Sequence, residues 1–102
     1  MNVVLDERQE TVRAVVSGEV DADNSGSFHE SLSSISPSCS TVLLDLAGVT
    51  FFDSSAVSEL LRFRQARLSP QFKIEVVAVS AAVQRVFEIT GLTEVFSIPN
   101  DR

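Results

Sequence analysis

The chain has 102 residues, 44% of them hydrophobic, a length and composition that supply one packed core and leave no room for a second. Fourteen acidic against eight basic residues give a net charge of -6, which argues against nonspecific binding to DNA, RNA or anionic membranes, because each of these needs clustered positive charge. A single cysteine, Cys39, cannot close an internal disulfide, and with one histidine it cannot complete a four-ligand zinc site. No segment approaches the roughly 20 apolar residues of a membrane-crossing helix, and the N-terminus has no basic region followed by a long apolar stretch. The expectation is a cytoplasmic single domain over residues 1–102, with no cofactor or metal and no direct contact with nucleic acid or membrane.

In chain order, Val3, Val4 and Leu5, the polar stretch Asp6-Glu7-Arg8-Gln9-Glu10 and the β-rich run Val12-Arg13-Ala14-Val15-Val16 predict a hairpin ending at Ser17-Gly18. Residues 21–24 supply capping side chains to a helix whose Phe28, Leu32 and Ile35 fall at i, i+4 and i+7. Ser36-Pro37-Ser38-Cys39-Ser40 is a loop. Residues 42–46 are apolar on both faces except Asp45, as in a central strand covered by helices on one or both sides. A second helix starts near Val57, aligns Val57, Leu60, Leu61 and Leu68, carries Arg62, Arg64 and Arg67 as a solvated cationic end, and stops before Pro70.

Residues 74–79 form another buried strand. Ser80 caps a third helix with Val83, Val86, Phe87 and Thr90 on one stripe and Gly91 just past its end, and residues 95–98 form a short last strand. The order ββαβαβαβ defines an α/β fold with a mixed, mostly parallel sheet of about five strands and three to four helices.

The segment Phe51-Phe52-Asp53-Ser54-Ser55-Ala56 carries the most chemistry. A strand that ends in hydroxyl-bearing residues at a helix start gathers side-chain oxygens and free backbone N–H groups where a phosphoryl group is well tolerated. Catalysis is disfavoured: there is no G-x-S-x-G, His29 is the sole imidazole, and neither phosphate-binding glycine motif occurs. The chain is not expected to be an enzyme.

The turn Ser17-Gly18-Glu19-Val20-Asp21, the block from Leu44-Asp45-Leu46 through Phe51-Phe52-Asp53-Ser54-Ser55, and Val83-Gln84-Arg85-Val86-Phe87-Glu88-Ile89-Thr90-Gly91-Leu92 together resemble the STAS domain family. More narrowly, the chain resembles a stand-alone bacterial anti-sigma factor antagonist, and the resemblance spans essentially its whole length. It implies phosphorylation of the first serine after the motif's aspartate, here Ser54. It also implies an anti-sigma factor that is itself a serine kinase, bound by the unphosphorylated antagonist so that a sigma factor is released, and a PP2C-type phosphatase that resets the system. The departure is Ala56, where the family usually has glycine. A methyl there raises helix propensity by up to about 1 kcal/mol and is expected to obstruct close approach by a partner's backbone.

A phosphoserine at a helix start brings roughly -1.5 to -2 charges, of which dipole and N–H groups offset about 0.3 to 1 kcal/mol. Facing a partner carboxylate about 5 Å away at an effective dielectric near 20, each unit of that charge costs on the order of 3 kcal/mol, enough to end binding by repulsion. Ser54 is otherwise a plain cap, and Ser55 is the alternative acceptor, pointing about 100° away. Asp53 is a cap carboxylate or a positioning group beside the phosphosite, while Glu19 and Asp21 join it in an acidic patch for basic partner residues. Consecutive residues of an extended chain face opposite ways, so one of Phe51 and Phe52 anchors the partner while the other packs beneath the first helix. Phe52 is placed in the partner-binding set with Glu19, Asp21, Asp53, Ser54 and Ser55.

His29 is expected to be a solvated helix residue and Cys39 an inert thiol, with redox sensing through an intermolecular disulfide as its alternative role. The competing function is a STAS scaffold or ligand-sensing interaction module without a phosphorylation switch.

Overall fold

Successive residues of a strand point to opposite faces, and burial alternates along the strands here even where apolar residues run consecutively, so the sheet has one buried face. A computed structural model, describing residues 1–96, contains β1 (Asn2–Arg8), β2 (Thr11–Val20), α1 (Ser25–Ser33), β3 (Thr41–Phe52), α2 (Ser54–Arg67), β4 (Lys73–Val79) and α3 (Ala81–Thr90). The strands lie in the order β1-β2-β3-β4, with β1 antiparallel to β2 and the other pairs parallel. Val12, Ala14 and Val16 of β2, Val42, Leu44 and Leu46 of β3, and Ile74 and Val76 of β4 form the floor of the core. Phe28 and Leu32 of α1, Ala56, Val57, Leu60 and Phe63 of α2, and Val83 and Phe87 of α3 close it from the same side. The central strand is therefore covered on one face. Its other face carries Asp45, whose carboxylate pairs with Arg13 at 2.9 Å.

The strands outrun their predicted ends. β2 continues through Gly18, whose φ of 86° suits a residue without a Cβ, and β3 reaches six residues past Leu46. Two register shifts, between Val15 and Ser17 and between Gly18 and Glu19, bend this extension. β4 leaves the sheet earlier: its pairing ends at Leu46↔Val79.

Two helical expectations are corrected. On α2, Leu61 and Leu68 are exposed while Ala56 and Phe63 are buried. Leu61 lies about 100° around the helix from buried Leu60, and Leu68 has already left the helix with extended backbone. Nor is the end of α2 wholly solvated: the half-buried Arg67 guanidinium donates to the carbonyls of Ile35 and Ser36 and lies 5.1 Å from the Phe63 ring centre. α3 follows expectation at both ends, with the Ser80 hydroxyl accepting from Val83 N–H and Gly91 left-handed just past its end. Of its predicted stripe, however, Val83 and Phe87 are buried, Val86 is half-buried and Thr90 is exposed, its hydroxyl donating to the Val86 carbonyl at 2.9 Å.

The strand expected over residues 95–98 falls partly outside the described residues. Within them, Val95 and Phe96 form a turn, and the Phe96 carbonyl accepts from Val76 N–H at 2.9 Å. The described residues thus hold four strands.

Cys39 is buried, its thiol donating to the Thr41 carbonyl at 3.0 Å, and exposed His29 pairs with Glu59 at 2.7 Å.

Candidate functional site

The site is the place where β3 becomes α2, beside the end of β2. Asp53 is the N-cap of α2: its backbone is extended (φ -107°, ψ -173°), and its Oδ1 accepts from Ser55 N–H at 2.9 Å and Ala56 N–H at 3.2 Å. The helix therefore starts three residues before Val57, because a carboxylate is in place to satisfy its first turn. Two of the N–H groups expected to be free for a phosphoryl group are already taken.

Ser54 is the first helical residue and is exposed, with no side-chain hydrogen bond among the described residues engaging its hydroxyl. Ser55 is half-buried, and Ala56 is 0% exposed. The Ala56 methyl packs inward beneath the helix, which corrects the expectation that it obstructs a partner: nothing outside the chain can touch it.

The acidic turn after β2 is joined to this junction by the sheet. Glu19 lies opposite Phe51 and Val20 opposite Phe52, and Asp53 N–H donates to the Val20 carbonyl at 3.4 Å. Glu19 and Asp21, one residue to either side of Val20, are thereby brought beside Asp53 and Ser54. Among the described residues none of Glu19, Asp21, Asp23 and Asp53 belongs to an ion pair. The rim of the site is anionic.

The two phenylalanines separate as extended backbone demands, but in the opposite sense from the assignment made from sequence. Phe52 is 3% exposed, its ring edge-on to Phe28 at 6.4 Å and to Phe87 at 5.9 Å, so its place at the partner surface is corrected to one in the core. Phe51, 48% exposed, is the aromatic side chain at the surface.

Residues 21–24, expected to supply capping side chains, form an Asx-type turn instead. Asn24 does sit at the N-cap of α1, yet its side chain makes no cap hydrogen bond and binds the preceding turn instead. The signal was available in the pairing of Asp21 with Asn24 three residues on, a spacing that suits side-chain bonds within a turn as well as a cap.

No helix among the described residues is long and apolar enough to cross a membrane. The arrangement offers an exposed hydroxyl on a rigid helix start, an acidic rim and an exposed aromatic ring: a surface suited to recognition and modification.

Comparison with known proteins adds a lineage. No curated protein matches the sequence. An anti-sigma factor antagonist from Mycobacterium paratuberculosis has the same fold, with a TM-score of 0.84 and 22% identity over 98% of this chain and 86% of that one. The anti-sigma factor antagonist SpoIIAA in its unphosphorylated form gives 0.81 and 20% over 98% and 90%. The Bacillus cell fate determinant SpoIIAA in its phosphorylated form gives 0.73 and 19% over 98% and 93%. A family model described as Mlab, STAS domain, matches residues 3–98, and the chain belongs to the STAS domain family.

Proposed function

We propose that this chain is an anti-sigma factor antagonist of the bacterial cytoplasm, a binding protein rather than an enzyme, switched by phosphorylation of Ser54. The observation that carries the reading is the exposed Ser54 hydroxyl, held on the first residue of α2 while Asp53 does the capping. In the unphosphorylated state, Ser54, Ser55 and Phe51, with the carboxylates of Glu19, Asp21 and Asp53, form the face that an anti-sigma factor serine kinase binds, which frees a sigma factor. During phosphorylation the Ser54 oxygen bonds to the γ-phosphorus of ATP, ADP leaves, and the hydroxyl proton passes to a base of the kinase. A PP2C-type phosphatase reverses the switch by hydrolysis, returning the serine and inorganic phosphate.

The electrostatics support a one-way effect. A phosphate on Ser54 adds roughly -1.5 to -2 charges beside Asp53, whose carboxylate already occupies two N–H groups of the first turn. The new charge gains little from the helix start and points outward into the binding face, where apposition to a partner carboxylate about 5 Å away costs on the order of 3 kcal/mol per unit charge.

A second reading has its own observation: the matching family model is described as Mlab rather than as an antagonist. On that reading the same face binds a partner without phosphorylation. Incubation with purified candidate anti-sigma factor kinases and ATP, followed by mass-spectrometric site mapping, separates the two. Phosphate on Ser54 that abolishes complex formation supports the switch. Stable binding with no phosphate transfer to the wild-type chain supports the module.

A further inference from the structure

Asn24 stands where a helix cap belongs and does something else. Asparagine is among the best residues for the position preceding a helix, where its side-chain oxygen accepts from the second or third N–H. Asn24 occupies that position before α1, but its backbone (φ -118°, ψ 11°) lies outside the extended region of a capping residue and no side-chain cap bond forms. Its amide turns back across the end of β2: Oδ1 accepts from Asp21 N–H at 2.9 Å, and Nδ2 donates to the Glu19 carbonyl at 2.9 Å. The Asp21 carboxylate completes the ring, its Oδ1 accepting from the N–H groups of Asp23 at 3.0 Å and Asn24 at 3.3 Å.

A local rule is broken here, and departures of this kind concentrate at functional sites. The helix goes without a side-chain cap while the side chains of Asp21 and Asn24 hold a surface turn of a few residues with four hydrogen bonds. What those bonds fix is the backbone on either side of Val20, whose carbonyl accepts from Asp53 N–H. They set the position of Glu19 and Asp21 relative to Ser54.

We propose that Asn24 is a positioning residue for partner binding, clamping residues 19–21 so that Glu19 and Asp21 are already in place beside Ser54 when the partner arrives. An unclamped turn has to be ordered on association, and that ordering weakens binding without removing a single contact. The inference rests on the antagonist reading, because it takes the face around Ser54 as the one that binds.

Asn24→Ser separates the clamp from the cap. Serine caps helices as well as asparagine does, but its side chain is too short to donate to the Glu19 carbonyl while capping α1. The variant should stay folded, its melting temperature lowered by no more than the loss of one or two surface hydrogen bonds accounts for. Its dissociation constant for the purified anti-sigma factor serine kinase that retains the wild-type chain should rise about tenfold, the scale expected when one or two hydrogen bonds that preorganise a surface are lost. The Asp21 amide should exchange with deuterium faster than in the wild type. Asn24→Ala, which loses clamp and capping potential together, serves as the reference for both losses. Wild-type affinity in Asn24→Ser, or unchanged exchange at Asp21, overturns the proposal while leaving the antagonist reading intact. If the wild-type chain binds no anti-sigma kinase, the antagonist reading fails and the positioning role falls with it, even where exchange shows the turn to be clamped.

Discussion

Two parallel strands in this molecule run into helices through a single extended capping residue, and the two junctions use serine in opposite ways. Where β4 meets α3, the cap is Ser80 itself: its hydroxyl accepts from Val83 N–H at 3.2 Å, and its own N–H donates to the Leu46 carbonyl at 3.2 Å. Where β3 meets α2, Asp53 caps and Ser54, the next residue, faces solvent with its hydroxyl unengaged among the described residues. A shift of one position decides whether a serine is a structural part or an exposed hydroxyl. Capping by the carboxylate leaves the serine beside it free.

The largest difference between the two junctions should be in modification. Ser54→Ala should abolish phosphate transfer from an anti-sigma factor kinase, while Ser80→Ala and Ser55→Ala remain substrates, as radiolabelled ATP will show; transfer that persists in Ser54→Ala moves the switch elsewhere. Next in size is the pair of phenylalanines. Phe52→Ala should cost about 3 to 5 kcal/mol in denaturant unfolding, because it opens a cavity between Phe28 and Phe87. Phe51→Ala should stay within about 0.5 kcal/mol in stability and weaken partner binding instead; equal destabilisation by both would contradict their separation.

Ser80→Ala and Asp53→Ala should each lower stability by roughly 0.5 to 2 kcal/mol as caps are lost, and of the two only Asp53→Ala should also alter partner affinity. Asp21→Lys should weaken binding to the kinase and flatten its dependence on salt; affinities that match wild type across a salt series would remove the acidic rim from recognition. Smallest of all, Ala56→Gly should lose up to about 1 kcal/mol of stability through helix propensity and leave partner affinity unchanged, since the methyl it removes is buried.

Much of this was legible in the chain itself. Capping chemistry and apolar spacing located α3 from Ser80 to Gly91, whereas the apolar run over residues 42–46 left open whether helices cover one face of the sheet or both. The fold family followed from three motifs in order. The lengths of β2 and β3 were not legible, because register shifts and a left-handed glycine carry strands past residues that look like turn signals. The α2 stripe was misassigned where consecutive leucines, Leu60 and Leu61, offered two phases and tertiary packing chose one. The same limit applies at Phe51 and Phe52: alternation says that one is buried, while the facing of β3 against α1 and α3 says which. Ala56 looked like a surface obstruction only until the start of α2 was placed at Ser54, which turns its methyl to the core.

On the proposed function, Ser54 is both the acceptor of phosphate and part of the binding face. Titrating the same anti-sigma factor kinase with the chain carrying phosphate on Ser54, and with the chain lacking it, measures this directly. The dissociation constant should be at least a hundredfold higher for the phosphorylated chain, the equivalent of about 2.7 kcal/mol, with an unchanged circular dichroism spectrum. Equal affinities for the two forms would contradict it.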